Sequence, residues 1–162
     1  MTETRVGFGF DVHPFSGDRP LVLGGVEVPA ERGLAGHSDA DALTHAVADA
    51  LLGALALGDL GQHFPDTDPR FRGISSQALL AEVATRVRGR GGRIVNVDAT
   101  VVAEAPRLAA YLDPMRKRLA ETLDLAVDRI SVKAKHAEGL GALGRQEGIA
   151  AMAVALVEVA RA

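Results

Sequence analysis

Residues 6–13 read Val-Gly-Phe-Gly-Phe-Asp-Val-His, an unbroken alternation of large apolar residues with glycine, glycine, aspartate and histidine. Successive side chains of a strand point to opposite faces, so this segment is predicted to be extended. Val6, Phe8, Phe10 and Val12 fall on one face, and that bulky face is expected to be buried. Gly7, Gly9, Asp11 and His13 fall on the other. The two glycines are expected to keep it open, and it ends in two potential ligands.

The rest of the chain divides by the same reasoning. Leu21–Leu23 and Val26–Val28, joined through Gly24-Gly25, read as a small hairpin. Ser38 or Asp39 is the expected N-cap of a helix with Leu43, Ala46, Val47, Ala50, Leu51 and Ala54 as its core stripe, ending before Gly58. A loop rich in Gly, Pro and Asp runs on to Gly73. Ser75 or Ser76 caps a second helix to about Arg88, and the glycines from Gly89 to Gly92 stop it. Residues 93–103 alternate like a strand until Pro106. A third helix covers roughly Leu108–Leu123, and Ile130–Ala134 is a short strand. Near the carboxy terminus, propensity and pattern disagree. Ala and Leu favour helix, but Met152, Val154 and Leu156 alternate with Ala151, Ala153 and Ala155. A period of two predicts a strand with one small-residue face.

Composition removes several classes of function. There is no cysteine, so disulfides and thiolate metal sites are excluded and any metal falls to His and carboxylates. The net charge is −3 and the basic residues are scattered, which leaves no stripe for nucleic acid. The longest uncharged apolar run, Gly148–Val157, is too short to cross a bilayer. Met1–Pro14 lacks the apolar stretch of a signal peptide, so a cytoplasmic location is expected. With 4% aromatic residues and no Trp, the core must be Ala, Val and Leu, packed closely and with room for other subunits. A chain of 162 residues makes one α/β domain, 1–162.

Four constellations carry potential chemistry. Asp11 and His13 share a strand face and can converge on one ion, although a local Asp–His hydrogen bond at a strand end accounts for them equally simply. Asp41, His45 and Asp49 stand one helical turn apart, away from the core stripe; a solvated acid–base face is the plain alternative. Together, Asp11, His13 and His45 offer three ligands with one position left open, as in catalytic zinc sites. An Asp one turn from His45 is then the expected partner that orients its ring. Gly36-His37-Ser38-Asp39 leads into a helix amino terminus suited to phosphate, or is an ordinary cap. Gly58-Asp59-Leu60-Gly61 and Phe64-Pro65-Asp66-Thr67-Asp68-Pro69 place acids on a stiff loop that could hold a polyol, or simply make turns.

In order, GFDVH (9–13), GHSDAD (36–41) with His45 eight residues after His37, LGDLG (57–61), FPDTDP (64–69) and EGIA (147–150) resemble the signature of the 2-C-methyl-D-erythritol 2,4-cyclodiphosphate synthases. The match covers nearly the whole chain. The resemblance implies an α/β (α+β sandwich) fold, with a mixed sheet, helices packed on one face and a small hairpin, assembled as a homotrimer with active sites between subunits. It implies zinc, or another first-row divalent ion, on Asp11, His13 and His45. It puts His37 and Ser38 in a loop that closes over a diphosphate, and gives Asp59, Gly61, Phe64 and Asp66 to the methylerythritol end. The backbone of Ala103–Leu108, including Pro106, Arg107 and Leu108, would surround cytosine, and Ala134 would be a further substrate contact. Glu138 would hold Mg2+ or Mn2+ bridging the phosphates.

Two departures from the pattern stand out. The family's Thr-Thr pair is replaced by Lys135-His136-Ala137, so either Lys135 or His136 grips phosphate by charge, or His136 is a surface residue. Arg145 and Glu147 match positions that bind isoprenoid diphosphates in some members, while Ala142 stands where an aromatic often lies. The implied partner is a small cytidine diphosphate, with no nucleic acid and no membrane. The rival readings are a zinc hydrolase using the same ligands, with Asp49 or His37 as base, and a non-catalytic trimeric diphosphate-binding module.

Overall fold

The computed structural model describes residues 1–160. Its first strand, β1 (Thr2–Ser16), extends the predicted alternation at both ends. It pairs antiparallel with β7 (Gly148–Ala160) over nearly its full length, from Thr2 opposite Ala160 to Pro14 opposite Gly148. β7 pairs antiparallel with β5 (Gly92–Val102), and β5 parallel with β6 (Ile130–Lys135). A two-residue β4 (Gly33–Leu34), not foreseen from the sequence, closes the other edge, giving the order β4-β1-β7-β5-β6. The hairpin of β2 (Leu21–Leu23) and β3 (Val26–Val28) is as predicted. Gly24 and Gly25 turn it with φ of 58° and 72°, both in the left-handed region that a two-residue turn of this kind requires.

The helices are α1 (Ala42–Ala54), α2 (Leu60–His63), α3 (Ser76–Gly89), α4 (Leu112–Leu123) and α5 (Gly141–Gly144). α1 lies across β1 and β7, α3 packs on α1, and α4 packs on α3 and β6. The core is the predicted aliphatic stripe, with Leu43, Ala46, Val47, Ala50 and Leu51 fully buried.

Two expectations about faces are overturned. The bulky side of β1 is not buried in the chain: Val6 and Phe8 are 63% exposed, Phe10 52% and Val12 49%. It is the glycine side that is closed. A Cβ on Gly7 would lie 1.9 Å from the carbonyl oxygen of Ala50, and one on Gly9 1.9 Å from that of Ala46. The α1 backbone therefore sits directly on the strand, closer than any side chain would allow. The alanine side of β7 has the same fate: Ala151, Ala153 and Ala155 are buried under α1 rather than left free for another subunit.

The first helix also starts later than predicted. Ala40 has φ of 58°, so the chain cannot become helical before it, and Asp41 is the N-cap.

Candidate metal centre and active-site cavity

Glycines at 7 and 9 bring α1 onto β1, and the two run in opposite senses, with Gly7 against Ala50 and Gly9 against Ala46. The next residue on that face, Asp11, therefore falls beside the helical turn that carries His45. Asp11 Oδ2, His13 Nε2 and His45 Nδ1 form a triangle with sides of 2.8, 2.9 and 3.2 Å. All three side chains are partly buried. Two distant segments thus meet at the three predicted ligands.

The donor set fits a first-row divalent ion. A tetrahedral site with bonds of about 2.0–2.1 Å has edges of about 3.3–3.4 Å, so the sides of the triangle need to open by roughly 0.1–0.6 Å. The tautomer of His13 points the same way. Its Nδ1 lies 2.7 Å from the carbonyl of Ala35, which can only accept, so the neutral ring carries its proton on Nδ1 and turns the Nε2 lone pair to the triangle, and only the protonated ring donates from Nε2 to Asp11. Burial pushes the Asp11 carboxyl up, but its close contacts with the His13 and His45 rings and their charge when protonated outweigh it and hold it well below the ordinary value. Burial lowers His13, and the Asp11 partner more than reverses this, so the imidazole is raised.

The triangle lies on the wall of a cavity of about 710 Å³. Its other walls include His37, Ser38, Asp59, Gly61, Phe64 and Asp66. Asp59 caps α2 by accepting from the backbone of Gln62 at 2.9 Å, which sets the loop's direction. Asp49 accepts from Leu60 N–H at 2.8 Å and ties that loop to α1. Burial raises the Asp49 carboxyl; the Leu60 bond opposes this, and the charges of Asp59 and Asp11 add to it. Phe64 is held edge-on by Phe71 with centroids 5.3 Å apart.

The polar stripe predicted on α1 is not one site. Asp41 is fully buried and accepts from Gly24 N–H, Gly25 N–H, Thr44 N–H and the Thr44 hydroxyl at 2.6–2.9 Å. Burial raises its pKa against those four bonds. It joins the hairpin to the helix and does not touch His45's ring. Nor does Asp49. The partners of His45 Nε2 are instead the hydroxyls of Ser76, at 2.8 Å, and Ser38, at 3.1 Å. Asp39 does not cap α1 either; its carboxylate accepts from Ser76 N–H at 3.0 Å and from the Ser76 hydroxyl. Arg19, also missed from the sequence, donates to the carbonyls of Gly36 and Ser38 and pins the His37-Ser38 loop. No spacing rule announces Ser76 or Arg19, because each acts across a long sequence gap.

The second half of the predicted site is elsewhere. Ala103, Pro106, Arg107, Leu108, Ala134, Lys135, His136, Glu138 and Arg145 do not line this cavity. Ala103 N–H donates to Lys135 O at 3.0 Å, and Ala137 N–H to a Glu104 carboxylate oxygen at 3.0 Å, so the ends of β5 and β6 form a cluster of their own. Leu108 is buried, whereas Arg107, Lys135, His136, Glu138 and Arg145 are exposed. Arg145 is paired with Glu147 at 2.6 Å. Asp11 sits opposite Ala151, which sits opposite Val101, which sits opposite Ala134. That is three strand spacings, about 14 Å, between the two halves.

Comparison with known proteins gives a consistent result. The YgbB family matches residues 4–158. Proteins from Burkholderia mallei (strain SAVP1) and Burkholderia pseudomallei (strain K96243), each named 2-C-methyl-D-erythritol 2,4-cyclodiphosphate synthase, are 60% identical over 153 residues, 94% of either chain. Among solved structures, the bifunctional IspDF from Campylobacter jejuni superposes with a TM-score of 0.95 at 42% identity; the match covers 99% of this chain and 43% of that one. A 2C-methyl-D-erythritol-2,4-cyclodiphosphate synthase described as a CDP-bound form gives a TM-score of 0.87 at 38% identity, covering 94% of this chain and 99% of that one.

Proposed function

The chain belongs to the YgbB family, and from that we propose that it catalyses the reaction for which its relatives are named. It converts 4-diphosphocytidyl-2-C-methyl-D-erythritol 2-phosphate to 2-C-methyl-D-erythritol 2,4-cyclodiphosphate and CMP, in isoprenoid biosynthesis by the non-mevalonate route. The observation that carries this reading is the Asp11–His13–His45 triangle on the wall of a cavity that also presents Asp59, Gly61 and Asp66.

In the reaction an oxygen of the 2-phosphate bonds to the β-phosphorus, the bond from that phosphorus to the bridging oxygen breaks, and the electron pair leaves with CMP. The nucleophile is already an anion, so no strong base is needed. Asp11, His13 and His45 would hold zinc or a similar divalent ion, and exposed Glu138 would hold Mg2+ or Mn2+. Cations there supply charge neutralisation between the two phosphates and fix their geometry. Asp59, Gly61, Phe64 and Asp66 bind and orient the polyol end. His37 and Ser38 hold the diphosphate, with Lys135 or His136 gripping phosphate where the family has threonines. Fixing both ends of one molecule provides the orientation term, on the order of several kcal/mol in favourable cases.

The cytosine would lie against Ala103, Pro106, Arg107, Leu108 and Ala134. Because the halves are about 14 Å apart within one chain, we place the complete site between neighbouring copies of a homotrimer. The bare apolar face of β1 supports this, since Val6, Phe8, Phe10 and Val12, joined by Val154 of β7, form a continuous uncovered strip. Arg145 and Glu147 would face the trimer's interior. No described helix is long and apolar enough to cross a membrane, and we assign the enzyme, as one domain, to the cytoplasm.

Phosphorus NMR of the substrate with protein, zinc and magnesium tests the reading. The expected result is CMP plus paired cyclic-diphosphate signals, lost in His45→Ala. An unchanged substrate spectrum would overturn it in favour of a binding module.

A further inference from the structure

His45 is the one ligand of the triangle that comes from a helix, and its ring has two nitrogens that could each carry the proton. With the proton on Nδ1, the ring would donate to Asp11 Oδ2 at 2.9 Å and the site would be blocked. What decides between them lies behind the ring. Ser76, fully buried at the start of α3, places its hydroxyl 2.8 Å from Nε2. That hydroxyl donates to Asp39, whose carboxylate also accepts from the backbone N–H groups of Ser76 at 3.0 Å and Asp41 at 3.2 Å. A carboxylate only accepts, so the Ser76 proton goes to Asp39, and Nε2 must then be the donor to Ser76.

We propose that Asp39 and Ser76 are positioning residues that fix His45 as the Nε2–H tautomer and so hold its Nδ1 lone pair toward the ion site; the proposal rests on the metal-site reading above. The direction of the relay is set by the carboxylate, which can only accept. Asp39 is ringed by donors, and Ser38, the other hydroxyl at Nε2, accepts from Ala40 N–H at 3.2 Å and can direct its own proton to the Ser76 oxygen at 3.5 Å. If Ser76 is removed, the Ser38 hydroxyl has no described acceptor except Nε2. Its proton would then be directed at the ring, driving the ring's own proton to Nδ1. Partners of this kind, one bond beyond a ligand, commonly change metal affinity by about 10–100-fold.

The test uses the full-length protein. Zinc affinity is measured by competition with a chromophoric chelator for the wild type, Ser76→Ala, Asp39→Asn and the double variant, with thermal unfolding followed in parallel. Each single change is expected to weaken zinc by about 10–100-fold. The double variant should be no worse than the weaker single, because links in series do not add. A long-range hydrogen–nitrogen correlation spectrum of the metal-free wild type should place the His45 proton on Nε2, a readout that needs no variant and no activity. Affinity within twofold of wild type in Ser76→Ala, additive losses in the double variant, or a wild-type proton on Nδ1 would each overturn the proposal. A wild type that binds no zinc would overturn the metal-site reading and this inference with it, whereas zinc-binding variants indistinguishable from wild type would overturn the relay alone.

Discussion

The two faces of β1 meet opposite fates although they alternate along the same residues. On one, Gly7 and Gly9 let the α1 backbone descend until its carbonyls occupy the space a Cβ would need, and Asp11 and His13 continue that face into the ion site. On the other, Val6, Phe8, Phe10 and Val12 stand between 49% and 63% exposed. One face is finished within the chain and tolerates nothing larger than hydrogen. The other is apolar surface awaiting a cover, and losing it from water is worth roughly 25 cal/mol per Å². The candidate ion site is built where the chain packs against itself most tightly, and the proposed association uses the face where it does not.

This contrast can be broken from either side. Gly9→Ala should cost the most, about 3 kcal/mol or more, because its methyl meets backbone rather than a side chain that can turn aside. Chemical denaturation measures this, and zinc binding should fall with it as His45 is displaced. A loss below about 1 kcal/mol would mean that the helix can ride over the strand.

Phe8→Lys is next. It should leave the isolated chain's stability within about 0.5 kcal/mol, while costing about 2 kcal/mol or more per interface in assembly. Sedimentation should show smaller species with activity lost; an intact trimer would put the interface elsewhere.

The metal-free site should also respond to pH. Asp11's carboxyl is held below its ordinary 3.8, so its contribution is present above about pH 4 and is lost as pH falls through the depressed value. His13 is raised above 6.5, so its contribution is present below that and is lost as pH rises through the raised value. In chelator, this pair therefore favours the folded state most between about pH 4 and 6.5. Unfolding that is flat across pH 3–9 would uncouple the two residues.

The smallest effect belongs to Lys135, exposed on the same face as Val12 at the sheet's far edge. Lys135→Ala should leave stability within about 0.5 kcal/mol and raise KM several-fold. An unchanged KM would remove it from phosphate binding.

How much of this was legible in the sequence follows the same line. The alternation at 6–13 gave β1 and the alternation at 151–156 gave β7, against helical propensity. What alternation cannot give is which face is covered: a glycine face looks open, yet a helix backbone can close it more completely than any side chain. The grouping of Asp11, His13 and His45 was legible because strand and helix periods place them on single faces, and the ordered motifs tie those faces together. Asp39 and Ser76 were not. Asp39 has the chemistry of an N-cap, and only the left-handed turn at Ala40 frees it for a hydroxyl on another helix. Asp41 was misread for the converse reason, since a polar spacing on a helix does not distinguish a solvated acid from a buried cap.

The strand pairing has one more consequence, for the order in which the molecule can be made. Asp11 lies on a strand whose long partner, opposite Ala151, is separated from it by well over a hundred residues, roughly the whole intervening domain. During synthesis the Asp11-His13 pair leaves the ribosome well before β7, so until then the strand that carries it has only two-residue β4 as a sheet partner, with α1 to pack on its glycine face. The strand that carries two of the three candidate ligands is therefore completed in its sheet only when the last strand of the chain has been made.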